Sequence, residues 1–109
     1  MRGVPDVAYD ANPNTGVSVY YAGSWYVFGG TSIGAPEWAG IIAIAAQYQG
    51  KSLGLVQPEI YSLAESSSYS SYFHDITSGP SNGYYYPSAG WDYVTGWGTP
   101  IASNLVPKL

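Results

Sequence analysis

The spacing of hydrophobic residues changes near residue 30 of this 109-residue chain. Before that point, VSVYY and SWYVFGG are β-rich runs separated by Ala22-Gly23. A two-residue connection that ends in glycine between two such runs predicts a β-hairpin. After that point, apolar residues recur every three or four positions, which predicts a helix over residues 35–49. Pro36 fits the first turn of this helix, and Gly50 is a typical stop signal.

The predicted helix is apolar on every side. Trp38 and Ile42 lie on one face, whereas Ile41 and Ile44 place apolar surface elsewhere around the helix. A helix of this kind belongs in the centre of a larger fold. We therefore expect a central buried helix. If part of the fold is missing, we expect these four side chains to be exposed.

The second half of the chain has weaker patterns. A short helix is predicted to follow Gln57-Pro58 through residue 64, and a last one to start at Thr99-Pro100 and end near Leu105. Between them, Gly, Ser, Pro and Asn occur throughout, which is typical of loops.

Composition excludes several classes of function. Seven acidic residues against three Lys and Arg give a net charge of −4 without any basic run, so binding to nucleic-acid phosphates is not expected. Zero Cys and one His exclude disulfides, thiolate zinc sites and imidazole-based metal sites. The longest apolar run, residues 41–46, is too short to span a membrane. A charged fraction of only 9% suits a secreted protein in acid.

The first residues do not resemble a leader. Residues 1–5 (MRGVP) lack the apolar stretch of a signal peptide. We interpret Met1 as an added or internal start and the chain as a piece of a longer protein.

Ser32 follows a glycine pair at the mouth of the predicted helix, and its position allows two interpretations. Serine is a preferred N-cap residue, which needs no function. The same position also suits a nucleophile. A strand would place the serine at a helix N-terminus, where backbone N–H groups can stabilise an oxyanion. Position alone does not decide between them.

The sequence of residues 29–40 (GGTSIGAPEWAG) resembles the nucleophile segment of the subtilisin-like clan. Thr31-Ser32 and Pro36 keep the clan's spacing, and Trp38-Ala39-Gly40 is similar to the sedolisin (serine-carboxyl peptidase) family. The resemblance extends to PDVAYDANPNTGVSVY upstream and to HDIT and AGWDYVTGWGTP downstream. Residues 1–109 thus resemble the C-terminal part of a sedolisin catalytic domain.

This resemblance implies an α/β fold, the C-terminal portion of a parallel sheet sandwiched by helices. It implies Ser32 as the nucleophile of a Ser-Glu-Asp triad whose Glu, Asp and oxyanion Asp lie outside this chain. A glutamate can accept a proton in acid, where a histidine base is already protonated. The implied protein is a secreted, acid-acting endopeptidase or tripeptidyl peptidase, and this chain alone is expected to be inactive. Its expected partners are a peptide or protein substrate, and either the rest of the domain or another copy.

The resemblance also implies a Ca²⁺ site in the loop over residues 74–92. Two loop aspartates usually cap turns, so their spacing alone is weak evidence. The family match assigns side-chain oxygens to two residues and carbonyl oxygens to three more, with Ser88 in place of the usual glycine. The implied metal ligands are Asp75, Ile76, Ser88, Gly90 and Asp92.

Two further features have a preferred and an alternative interpretation. His74 is interpreted as a loop residue beside the metal, without a catalytic role. Six aromatic residues are interpreted as packing over the loop, with a carbohydrate platform as the alternative: Tyr84, Tyr85, Tyr86, Trp91, Tyr93 and Trp97. For the whole chain, the alternative to a peptidase fragment is a non-catalytic, calcium-stabilised binding or structural module.

Overall fold

The computed structural model describes residues 3–109, so Met1, which we interpreted as an added or internal start, lies outside the described residues together with Arg2. The elements, in chain order, are β1 (Val17–Tyr21), β2 (Ser24–Phe28), α1 (Thr31–Gln49), α2 (Gln57–Ala64), α3 (Tyr69–Tyr72), β3 (Phe73–His74), β4 (Thr99–Pro100) and α4 (Ala102–Leu105).

Strands β1 and β2 form an antiparallel hairpin whose register pairs Val17 with Phe28 and Tyr21 with Ser24. Both central residues of the turn have positive φ, 49° at Ala22 and 86° at Gly23, as a type I′ turn requires. The second pair, β3 with β4, is also antiparallel. The parallel sheet that the resemblance implies is therefore not formed within residues 3–109. A parallel pair needs a crossover that returns to a strand, and neither α1 nor α2 leads directly into one.

Helix α1 begins at Thr31, four residues before the predicted start. Its N-cap is Gly30, whose φ of 114° is a conformation that favours glycine. Pro36 consequently lies beyond the first turn, contrary to the prediction. Because proline has no N–H, the Ser32 carbonyl lacks its i+4 donor. The predicted stop is confirmed, since Gly50 is a left-handed C-cap.

Only one stripe of α1 is buried. Trp38, Ile41 and Ala45 face the core, whereas Ile44 is 57% exposed and Tyr48 is 68% exposed. The expected central buried helix is therefore buried on only one of its faces within residues 3–109. The expected exposure of Trp38 and Ile41 is wrong because the second half of the chain supplies a core for them, and that of Ile44 is confirmed. The rest of this core consists of Val56, Ile60, Ala64, Phe73, Leu105 and Leu109.

The segment after α2 contains more regular structure than predicted. His74 pairs with Thr99 in a short sheet instead of lying in a loop. Thr99-Pro100 is therefore a strand and not a helix start, and α4 begins at Ala102. The Ile101 N–H donates to the Tyr72 carbonyl at 2.8 Å, which continues the pairing and fixes both segments beside the core.

Candidate functional site

Ser32 lies in the first turn of α1 and is exposed. The strand β2 and the glycine pair deliver it there, and the Gly30 N–H donates to the Ala11 carbonyl at 2.6 Å. The N-cap is Gly30, without a side-chain capping bond. The interpretation of Ser32 as the helix cap is therefore wrong, because its backbone already belongs to the helix, two residues after the N-cap.

The first turn of α1 leaves backbone donors available. The Ile33 N–H donates to the Gly30 carbonyl at 3.0 Å. Within residues 3–109, the N–H groups of Thr31 and Ser32 have no backbone acceptor. The turn also contains no acidic side chain that would occupy this positive end of the helix. An anion beside Ser32 would meet free donors and a favourable dipole.

No described residue activates the Ser32 hydroxyl. Its side chain makes no hydrogen bond in the part of the chain that the structure describes. The carboxylates have other tasks: Asp6 accepts a hydrogen bond from the Tyr61 hydroxyl at 2.8 Å. Glu37 lies beside Tyr9, where a hydrogen bond to the carboxylate, burial and the negative charge together raise the pKa of the Tyr9 hydroxyl.

A cleft of about 570 Å³ opens beside this turn. Thr31, Gly34 and Trp38 form its α1 side, and residues 5–11 and 94–95 form much of the remainder. The Trp38 indole N–H donates to the Ala8 carbonyl at 3.3 Å, so this buried side chain fixes the distance between α1 and the extended segment. The cleft is lined by Thr31, the residue before Ser32, and Ser32 itself lies outside its lining.

Asp92 is the hydrogen-bonding centre of the second site, and it is only 5% exposed. One carboxylate oxygen accepts the N–H groups of Val94 (2.7 Å) and Thr95 (2.8 Å). The other accepts the Ser88 N–H (3.0 Å) and the Thr95 hydroxyl (3.0 Å). Burial by itself raises the pKa of Asp92, but these four bonds outweigh it and hold the pKa below its ordinary value.

Asp75 holds the same loop from the other side. Its Oδ2 accepts the Gly90 N–H at 2.9 Å, two residues from the Ser88 N–H that Asp92 binds. Its Oδ1 is buried and has no partner among the described residues. A buried carboxylate oxygen without a donor is costly unless an ion or water satisfies it. The two aspartates therefore converge on residues 88–90, and one oxygen remains available.

Backbone oxygens add to this oxygen set. The carbonyl groups of Ile76, Ser88 and Gly90 accept no hydrogen bond within residues 3–109. Calcium takes six to eight oxygen ligands, which include carboxylates and carbonyls, so this set suits it chemically. Asp92 is the least available member because donors fill its lone-pair positions. No cluster of three or more His, Cys, Asp or Glu side chains that could hold a metal occurs in the described chain.

Tyr69 and Thr95 support this loop, and the sequence analysis did not identify either. The Tyr69 hydroxyl donates to the Trp97 carbonyl at 2.9 Å. Burial, then the negative charge of Asp75 and the hydrogen-bonding contact with its carboxylate, and then the charge of Asp92 raise the pKa of this hydroxyl. A threonine three residues after an aspartate is a turn signal that could have indicated Thr95. Nothing in the local sequence indicates Tyr69.

The interpretation of the aromatic residues as packing holds for only part of the set. Trp97 makes edge contacts with Tyr61 and Tyr69, and Trp91 donates its indole N–H to the Pro5 carbonyl at 3.0 Å. The tyrosines of the loop, in contrast, are exposed by between 48% and 90%. The rings of Tyr85 and Tyr93 stack at 4.5 Å, and Tyr93 meets Trp91 edge-on at 4.7 Å, so the packing interpretation still holds for these two residues. It does not hold for Tyr84 and Tyr86, which are 90% and 71% exposed. The exposed residues are Tyr84, Tyr85, Tyr86 and Tyr93.

Two curated proteins are similar to the chain over nearly its whole length. Kumamolisin from Bacillus sp. (strain MN-32) is 41% identical over 113 aligned positions, which cover 99% of this chain and 20% of kumamolisin. Sedolisin from Pseudomonas sp. (strain 101) is 39% identical over 108 positions, 95% of this chain and 18% of sedolisin. The chain thus spans about a fifth of these relatives' length. No protein-family model matches it. No helix in residues 3–109 has the length and apolarity to cross a membrane.

A solved structure agrees with these relatives. Pseudomonas sedolisin, a serine-carboxyl proteinase complexed with two molecules of pseudo-iodotyrostatin, superposes with a TM-score of 0.81 at 37% identity. The match covers 94% of this chain and 28% of that one. The chain therefore has the fold of the corresponding part of that subtilisin-like protein. The chain therefore belongs to the sedolisin (serine-carboxyl peptidase) family, whose C-terminal region it matches.

Proposed function

We propose that this chain is the nucleophile-bearing part of a secreted serine-carboxyl peptidase that cleaves peptide bonds in acid. The observation that carries the proposal is the exposed Ser32 in the first turn of α1, where the backbone N–H groups of Thr31 and Ser32 have no backbone acceptor within residues 3–109. The family membership supports it, because Pseudomonas sedolisin, whose structure the chain matches, is a serine-carboxyl proteinase.

In the proposed reaction, the Ser32 Oγ attacks the carbonyl carbon of the scissile bond and loses its proton to a base. The negative charge that develops on the carbonyl oxygen is stabilised by the Ser32 N–H and the dipole of α1. The protonated base then gives this proton to the nitrogen of the scissile bond, so that collapse of the tetrahedral intermediate releases the amine and leaves an acyl group on Ser32. Water, deprotonated by the same base, attacks the acyl carbon and releases the carboxylic acid, and the Ser32 oxygen takes the proton back. The sedolisin family supplies the base as a Glu, oriented by an Asp, together with an oxyanion Asp, all from outside these residues.

We further propose that the 74–92 loop holds Ca²⁺. The Asp75 Oδ1 and the carbonyl groups of Ile76, Ser88 and Gly90 would hold it, with Asp92 as the member that must share its oxygens with four donors. The unpartnered buried Oδ1 supports this assignment. The ion would neutralise the buried negative charge and hold the two ends of the loop together. Its role is structural, and no chemical step requires it.

The test of the activity is a chimera in which residues 1–109 replace the matching segment of kumamolisin. We expect hydrolysis of a peptide library between pH 3 and 5 and a loss of rate towards neutral pH. Mass spectrometry of the products separates release of tripeptides from internal cleavage. A folded chimera without activity in this range, beside active kumamolisin, contradicts the proposal.

The alternative is a calcium-stabilised module that lacks catalysis and keeps the Ser32 segment for packing. The exposure of Ser32 argues against a packing role. A chimera that is folded and inactive, yet still loses stability in chelator, would favour this alternative.

A further inference from the structure

Tyr69 connects the short helix α3 to the backbone that lies behind the candidate calcium ligands. Its hydroxyl donates to the Trp97 carbonyl at 2.9 Å. Its ring stacks on Phe73 at 5.9 Å and meets the Trp97 ring edge-on at 5.7 Å. The ring thus contributes to the packing and the hydroxyl contributes a hydrogen bond, so the two contributions can be removed separately.

The carbonyl that Tyr69 binds belongs to a segment that lies directly against Asp75. The next residue, Gly98, approaches so closely that a Cβ there would meet the His74 carbonyl oxygen and lie 3.4 Å from the Asp75 Cα. The pairing of β3 with β4 holds the two backbones in this position. Because the peptide group between Trp97 and Gly98 is planar, a hydroxyl that fixes the Trp97 carbonyl also fixes the backbone against which Asp75 packs.

The Tyr69 hydroxyl also lies beside the Asp75 carboxylate itself. Burial first, and then the charge and contact of this carboxylate, raise the pKa of the hydroxyl, so it stays protonated. A phenol has one proton to donate, and the Trp97 carbonyl accepts it. The Asp75 Oδ1 therefore keeps no partner among residues 3–109. Tyr69 borders this carboxylate without occupying the oxygen that a cation would use.

Asp75 depends on such support more than Asp92 does. Four hydrogen bonds orient Asp92, whereas Asp75 accepts one N–H, from Gly90 at 2.9 Å. Residues that orient a ligating side chain change metal affinity although they do not touch the metal. We infer that Tyr69 is a positioning residue of the calcium site, whose hydroxyl holds the Asp75 segment in place and leaves the Asp75 Oδ1 free for the ion. This inference rests on the calcium site proposed above.

The test is Tyr69→Phe in the 109-residue chain, which removes the hydroxyl and keeps the ring. Calcium binding is measured at pH 6 by calorimetry and by displacement of Tb³⁺, whose luminescence is excited through neighbouring aromatic rings. We expect the dissociation constant for calcium to rise about tenfold. The melting temperature should fall more in calcium than in chelator, because weaker binding adds less stability. A purely structural hydroxyl would lower both melting temperatures equally and leave the dissociation constant unchanged, and that result overturns the inference.

Tyr72→Phe is the matched control, since Tyr72 lies in the same helix and is half-buried as Tyr69 is. Its hydroxyl makes no hydrogen bond within residues 3–109, so this variant should bind calcium as the wild-type chain does. Asp75→Asn should weaken binding more than Tyr69→Phe, because it removes the charge of a ligand.

The outcomes separate this inference from the site on which it rests. A wild-type chain that binds neither calcium nor Tb³⁺ removes the proposed site, and this inference with it. A wild-type chain that binds, beside a Tyr69→Phe variant that binds equally well, leaves the site and overturns the role of Tyr69 alone. Tighter binding by Tyr69→Phe would mean that the hydroxyl competes with the ion for the Asp75 Oδ1, which also overturns the inference.

Discussion

Asp92→Asn replaces a buried carboxylate that accepts four hydrogen bonds by an amide that can accept at most two of them. The amide oxygen can keep the N–H groups of Val94 and Thr95, which lie at 2.7 and 2.8 Å from one carboxylate oxygen. The amide nitrogen then faces the Ser88 N–H, donor against donor. The Thr95 hydroxyl can rotate and accept from the amide, so the Ser88 bond is the principal loss.

The size of the effect follows from these contacts. A hydrogen bond to a charged group contributes about 1.5–3 kcal/mol, and a neutral one about 0.5–1.5 kcal/mol. The lost Ser88 bond and the two weakened bonds together cost about 4 kcal/mol on these values. Removing the charge also removes the desolvation cost that raises the pKa of Asp92. We expect a net loss of about 2 kcal/mol, or on the order of 10 °C in melting temperature for a chain of this size.

The assay is thermal and urea unfolding of the 109-residue chain in chelator, followed by tryptophan fluorescence, because Trp91 and Trp97 flank the site. The chain concentration must be the same in every sample, since association shifts the apparent stability. Asp10→Asn is the matched control: Asp10 accepts one exposed bond, from the Asn12 N–H at 2.9 Å, and asparagine is compatible with that turn. A loss below about 0.5 kcal/mol, equal to that of the control, would refute the reasoning about Asp92.

Three further predictions concern the isolated chain. It should hydrolyse no peptide at any pH because Ser32 has no base in residues 3–109; cleavage of denatured protein at pH 3–5 that Ser32→Ala abolishes would contradict this. If Asp75 and Asp92 hold calcium, chelator should lower the melting temperature at pH 6, and calcium affinity should fall as acid protonates the carboxylates; a melting curve that is insensitive to chelator argues against the site. The exposed hairpin and Ile44 face should make the chain associate at micromolar concentration, whereas sedimentation as a monodisperse monomer with cooperative unfolding would disprove this.

The sequence predicts local structure well where one strong signal acts alone. Gln57-Pro58 marks the start of α2 and Gly50 the end of α1, because proline and glycine restrict or free the backbone at those residues. The predicted start of α1 is four residues too late, because Pro36 suggested a first turn at that residue, whereas the positive φ of Gly30 lets the helix begin at Thr31. Strands β3 and β4 cannot be predicted from local patterns, because their pairing joins Phe73 to Pro100 across the whole loop.

The candidate sites were also only partly predictable from the sequence. The GTS segment identifies Ser32 by resemblance, and the structure adds the free donors and the cleft that sequence patterns do not contain. The four hydrogen bonds to Asp92 depend on a turn geometry that the local amino-acid sequence does not specify. The exposure of Tyr84 and its neighbours was also not predictable, because an aromatic residue in a loop is buried or exposed according to what the core reaches.

The most direct test of the account is the Ser32→Ala substitution in the kumamolisin chimera. With Ser32 present, we expect peptide hydrolysis in acid. With alanine there, we expect the rate constant kcat to fall by at least about three orders of magnitude, because the attacking oxygen is gone and only the oxyanion donors and substrate binding remain. Serine at the neighbouring position, Thr31→Ser, should keep the activity. A folded Ser32→Ala chimera that cleaves the peptide as fast as its parent would contradict the central claim.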